Sequence, residues 1–240
     1  AQNWTAVAID LLIVVLGVFI GLQVSNWNEA RTARQDEQAI LKRFHDETVA
    51  AIEERARREA AVAARMHDLY ELRKMLFGLS PPRPVIQTEC TALSRSNCLP
   101  FTTGAIPVLD ELIATGRFGR ISDRDVRQAA GQLMRLREDV RSAVDVVASA
   151  ALDLPFEFPA LMRRGLEATD ASEDIDGYVS IATCDGEAMR EDPRFLNGFS
   201  SNVANYNVYY LANFIELSPA YEQLHQSLDR AIGITHGGTR

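Results

Sequence analysis

Between Leu11 and Leu22 the chain runs through twelve consecutive residues without a polar side chain, with an aspartate, Asp10, at the upstream edge and a charged tract immediately downstream. Such a run is a membrane span, the apolar part of a signal peptide, or a buried core helix. From Trp4 to Trp27 only Thr5, Asp10, Gln23, Ser25 and Asn26 are conventionally polar. That length matches the roughly 20 residues that carry a helix across a hydrocarbon core. Trp4 and Trp27, one at each end, suit the aromatic belt at the two headgroup layers. No small-x-small cleavage site follows the run, and the chain continues into a polar helical tract, which argues against a signal peptide. The expectation is one transmembrane helix over residues 1–27.

At 100° per residue, Asn3, Asp10, Gly17, Gly21 and Asn28 fall within about 20° of one line along that helix. Gly17 and Gly21 form a GxxxG pair, the pattern that lets two helix backbones approach closely in lipid. A carboxylate at the centre of a bilayer costs roughly 2.5–3.5 kcal/mol on insertion scales and generally faces protein or water. Asp10, Gly17 and Gly21 therefore mark the expected membrane-helix interface, and Trp4 and Trp27 its anchors. A lone helix with a snorkelling aspartate and incidental glycines fits the same residues. Arg31, Arg34, Lys42 and Arg43 follow the span, so the positive-inside count taken alone places the large domain in the cytoplasm. The chain begins at Ala1, and a basic segment ahead of the span is expected to alter that count.

Residues 28–77 read as one long stalk. From Asn28 to Leu76 there is neither proline nor glycine, and Ala, Glu and Arg dominate. Its expected inward stripe is Ile40, Leu41, Phe44, Val49, Ile52, Ala56, Ala60, Met66, Leu69, Leu72 and Leu76. Gly78 and the prolines of "SPPRP" end it. Residues 78–106 are expected to be a loop holding Cys90 and Cys98, and residues 107–240 a helical domain packing on the stalk. Helix starts are expected at Pro107 and at Ser122. A broad stripe of Phe195, Phe199, Val203, Tyr206, Tyr210, Phe214 and Leu217 reads as bundle core. The asparagines, among them Asn202 and Asn213, are expected on its outer side. "EATDASEDIDG" reads as an exposed loop. The fold class is thus all-α: a transmembrane helix continuous with a stalk, followed by an antiparallel helical bundle.

The net charge of −8 leaves no basic surface for nucleic acid. Cys90, Cys98 and Cys184 lack the paired CxxC and His spacing of a zinc site. They allow a short ring between Cys90 and Cys98, a longer bridge from either to Cys184, or three reduced thiols. Arg117, Arg120, Arg124 and Arg127 lie near a helix start, where ordinary capping accounts for the pattern without an anion. His45 and His67 each precede an aspartate, but adjacent helix positions face apart. His225 and His236 have no evident partner. No HExxH, GxSxG or phosphate-loop motif is present, so no catalytic residue, metal or cofactor is expected.

"AIDLLIVVLGVFIGLQVSNWNEART" resembles the N-terminal signature of the DUF6090-like family of bacterial single-span membrane proteins, whose span ends in a similar "Q(I/V)xNWN", here Gln23 to Asn28. "LDELIATG" is similar to their Glu-Leu-x-x-(Ser/Thr)-Gly segment, carried by Glu111, Leu112, Thr115 and Gly116. The resemblance covers the span and that central helix, and the C-terminal half only loosely. It implies a short basic cytoplasmic segment ahead of the span and an extracytoplasmic helical domain. It brings no activity with it. The expected function is that of a non-catalytic accessory or scaffold protein of the bacterial inner membrane. Its partners are the bilayer and another transmembrane helix, from a second copy or a larger complex. The alternative is a periplasmic ligand-binding sensor.

Overall fold

The computed structural model describes residues 4–99, 104–168 and 178–234; side chains are described from Leu16 and, after Tyr178, from Ile181 onward. Helix α1 (Trp4–Leu76) is a single element of 73 residues, about 110 Å of helix at 1.5 Å per residue. The expected stalk is therefore continuous with the segment before it. Gly78, at φ +74°, takes the left-handed conformation that only glycine adopts cheaply, and the prolines beyond it keep the chain from resuming the helix.

Residues 16–36 of α1 are exposed throughout, and burial begins only around Leu41 and Phe44. From there the inward stripe is Leu41, Phe44, Thr48, Ala51, Arg55, Val62, Met66, Leu69 and Leu72. Both ends agree with the sequence expectation, but the middle is displaced by a residue. Ala56 and Ala60 are exposed, Val49 and Ile52 are half-buried, and the polar Thr48 and Arg55 lie inside. The reason is that these two polar groups find partners. Thr48 Oγ1 donates back to the Phe44 carbonyl at 2.7 Å. The Arg55 guanidinium donates to the Asn213 carbonyl and, at 3.1 Å, to Ser218 Oγ, and stacks 4.7 Å from the Tyr221 ring centroid. Burial pushes the Arg55 pKa down, with the Tyr221 hydroxyl and Glu59 opposing, while burial pushes the Tyr221 hydroxyl up.

The loop expected over 78–106 contains helix α2 (Gln87–Ser94). Its start is closed by Glu89, whose Oε2 accepts from the Ile86 amide at 3.2 Å and whose buried carboxylate also receives the Arg83 guanidinium. Helix α3 (Pro107–Ala114) begins at proline as expected, and Glu47 of α1 accepts from its Val108 amide at 2.6 Å. A short 3-10 turn (Phe118–Arg120) leads to α4 (Arg124–Ala150). The cap of α4 is Asp123, not Ser122: Asp123 Oδ1 accepts from the Val126 amide at 3.0 Å. The Ser122 amide instead donates to Glu37 of α1. Two acidic stalk residues thus seat two helix starts on the stalk.

After α5 (Leu154–Glu157) come two strands, β1 (Met162–Ala168) and β2 (Tyr178–Cys184), paired antiparallel with Met162 opposite Cys184 and Gly165 opposite Ile181. This corrects the all-α expectation: the described residues are mostly helical with one small sheet. The signal lay in the alternating Val179, Ile181 and Thr183, which favours a pleated strand. Most of the acidic loop expected between them, residues 169–177, lies outside the described residues. Helices α6 (Gly186–Glu191), α7 (Pro193–Tyr210) and α8 (Ser218–Ile232) follow, α7 and α8 being joined by a π-helical turn, Leu211–Glu216.

The core forms where α1 packs on α2, α3, α7 and α8, and α4 on α7 and α8. The aromatic stripe of α7 is its centre: Phe195, Phe199, Val203, Tyr206 and Tyr209 are fully buried, as are Phe214 and Leu217 beyond them. Tyr210 packs at the edge, its hydroxyl 3.3 Å from Glu59. Asn202 and Asn213 correct the expectation of an outward asparagine face, since both are buried. Asn202 bridges elements, accepting from the Leu152 amide at 2.8 Å and donating to the Leu152 carbonyl at 2.8 Å and Ser96 Oγ at 2.9 Å. A buried amide satisfied on both ends fixes where the α4–α5 connection sits against α7.

Candidate functional site

Two features stand out beyond the core: the uncovered end of α1, and a buried cluster of histidine and aspartate.

On α1, Leu16, Val18, Phe19, Ile20, Leu22 and Val24 are all exposed, and among the described residues no other element covers them. Gly17 and Gly21 share one face, and a methyl group built on either meets nothing within 4 Å, so the close-approach face is open. Trp27 is 61% exposed, with the Arg31 guanidinium 5.8 Å from its ring centroid. The helical backbone carries Trp4 and Asp10 on the same element, but their side chains lie outside the described residues. Among the described residues no helix is long and apolar enough to cross a membrane. The described apolar stretch, Leu16 to Trp27, falls short of the roughly 20 residues a span needs.

Cys90 is bonded to Cys184, with their Cα atoms 5.8 Å apart, and Cys98 is an exposed free thiol. The short Cys90–Cys98 ring is thereby replaced by the longer bridge. The reason is the fold of the intervening segment. Cys90 sits inside α2, the chain turns before Cys98, and α2 docks on β2, where Gln87 Nε2 donates to the Ala182 carbonyl at 3.2 Å. The bridge ties the stalk-side helix to the end of the sheet.

Beside the bridge an open cleft of about 930 Å³ is lined by Arg83, Arg163 and Arg190 together with Asp185 and Glu187. Arg83 is committed to Glu89, whose hydrogen bond raises the arginine pKa. With the remaining charges mixed, the cleft selects no one ligand charge. The arginines near the start of α4 are likewise occupied in part: Arg127 Nη1 donates to the Ile121 carbonyl and, at 2.9 Å, to that of Ser122. Capping accounts for that region.

The histidine cluster joins α1 to α8. His45 Nε2 lies 3.0 Å from Asp229 Oδ1, and His225 Nε2 lies 3.5 Å from the same oxygen. The two rings are 5.1 Å apart, and His45 Nδ1 faces Asp46 Oδ1 at 3.2 Å. His45 and Asp229 are buried, and His225 is partly exposed. The structure corrects the expectation that His225 has no partner: its i, i+4 spacing to Asp229 places both on one helix face, a signal for half of this arrangement. His45 arrives from the far end of the chain. His67 is exposed and takes no part, and His236 lies outside the described residues.

Comparison with protein-family models, with curated proteins and with solved structures finds no match to this chain.

Proposed function

We propose that the chain is a non-catalytic accessory or scaffold protein of the bacterial inner membrane. The uncovered part of α1 lies in the bilayer, and its Gly17/Gly21 face packs against another transmembrane helix, from a second copy or from a larger complex. The helical domain stands on the periplasmic side as an interaction module.

The observation that carries this reading is the run from Leu16 to Val24, exposed on every side yet helical and joined without a break to the packed part of α1. In water that surface would be a severe aggregation liability. In lipid it is a solvated surface, and the open glycine face is where a partner backbone fits. The Cys90–Cys184 bridge supports the periplasmic side, because such bonds persist in oxidising compartments. Trp27 and Arg31 suit the headgroup layer.

Native purification in mild detergent, followed by mass spectrometry of the co-eluting proteins, tests the assignment. The expected result is recovery from the membrane fraction as a stoichiometric assembly, homomeric or mixed. Recovery as a monomer from the soluble fraction would overturn it.

A further inference from the structure

We infer that His45, His225 and Asp229 bind one divalent transition-metal ion of the zinc class, fastening α8 to the stalk. Two imidazoles and one carboxylate form a borderline-soft donor set that suits such ions, and they leave a position for water or a further ligand. The donor atoms all lie within 4.8 Å of one another. A tetrahedral ion with bonds of about 2.0–2.1 Å holds its ligand atoms roughly 3.3 Å apart. The contacts of Asp229 Oδ1 with the two imidazole nitrogens, 3.0 and 3.5 Å, bracket that spacing. Coordination requires the partly exposed His225 ring to turn so that its nitrogen approaches that of His45.

The surroundings of His45 supply the second argument. Its Nδ1 lies 3.2 Å from Asp46 Oδ1, and in the tautomer that carries the proton on Nδ1 this is the carboxylate–histidine arrangement that orients a ligating imidazole and strengthens its other nitrogen as a donor. With the proton on Nδ1, the lone pair of Nε2 is turned toward the buried region that also holds the Asp229 carboxylate. The contact with Asp229 does not have hydrogen-bond geometry, so Nε2 is a buried polar atom without a hydrogen-bond partner. A cation placed there gives His45 Nε2 the partner it lacks. The partly exposed His225 edge provides the way in.

The test uses the full chain, free of affinity tags, purified in mild detergent and stripped with a chelator. Zn2+ is titrated by calorimetry and Co2+ by visible absorption, where tetrahedral coordination gives intense ligand-field bands. The expected result is one ion per chain. His225→Leu, at the exposed edge of the site and so tolerant of folding, should weaken binding more than about 100-fold, and Asp46→Asn about 10-fold or more. His67→Ala should bind as the parent does. Absence of saturable one-to-one binding, or binding that His225→Leu leaves unchanged while helicity is retained, would overturn the site.

Discussion

Replacing Cys90 or Cys184 by alanine should lower the stability of the helical domain by about 2–5 kcal/mol. The bridge spans 94 residues of sequence, which include α3, α4, α5 and the first strand. Closing so long a loop removes much of the freedom of the unfolded chain, which is where most of a disulfide's effect is generally placed. The native geometry asks little of the cross-link, since α2 already docks on β2 through Gln87. Urea unfolding of the full chain in detergent, followed by circular dichroism with and without reductant, measures the effect. Peptide mapping without reductant should show Cys90 joined to Cys184 and Cys98 open to alkylation. A Cys90–Cys98 peptide, or a midpoint indifferent to reductant, would refute the bridge.

Phe199→Ala should cost about 3–5 kcal/mol, the usual range for deleting a buried aromatic ring. Phe199 is fully buried and stacks on Phe195 at 6.1 Å, which meets Phe158 edge-on at 5.3 Å. The neighbouring Gly198 leaves no slack, since a methyl group there would sit 3.1 Å from Leu152. The helices therefore cannot close over the lost ring without moving the α4–α5 connection. Leu211→Ala, at a 40% exposed position on the π-helical turn, should change stability by no more than about 0.5 kcal/mol. Equal effects from the two substitutions would mean that the aromatic stripe is not the centre of the core.

Elements specified by local chemistry were legible in the sequence. The stalk follows from an uninterrupted run of good helix formers, its end from Gly78 and the prolines, and the α7 core from aromatic spacing. What escaped was set by distant partners. The middle of the α1 stripe was read from alanines. The observed register buries Thr48 and Arg55 instead, and Arg55 is tolerated only because Asn213, Ser218 and Tyr221 come from the other end of the chain. Asn202 is inside for the same kind of reason, as its partners Leu152 and Ser96 belong to connections whose course no periodicity reveals. The hairpin is short and mostly exposed, so its β1 strand, Met-Arg-Arg-Gly-Leu-Glu-Ala, carries little apolar alternation to betray it. Helix α2 is brief and begins at Gln87, with Glu89 accepting from the Ile86 amide ahead of it, too small a signal beside the surrounding prolines. In the histidine cluster the i, i+4 spacing of His225 and Asp229 is too common on helices to mark a pair, and His45 is brought beside them by folding alone.

The open face of α1 is the centre of the functional account. The most direct measurement places a photoreactive maleimide on that face, at Gly17→Cys, and compares it with the same label at Phe19→Cys, about 200° around the helix. Both variants carry Cys98→Ser, so that the engineered thiol is the reactive one, and are irradiated in native membranes. The expected result is a discrete protein adduct, either a second copy or one partner, from position 17, and chiefly lipid adducts from position 19. Equal labelling of lipid from both positions, with no protein adduct at position 17, would contradict it.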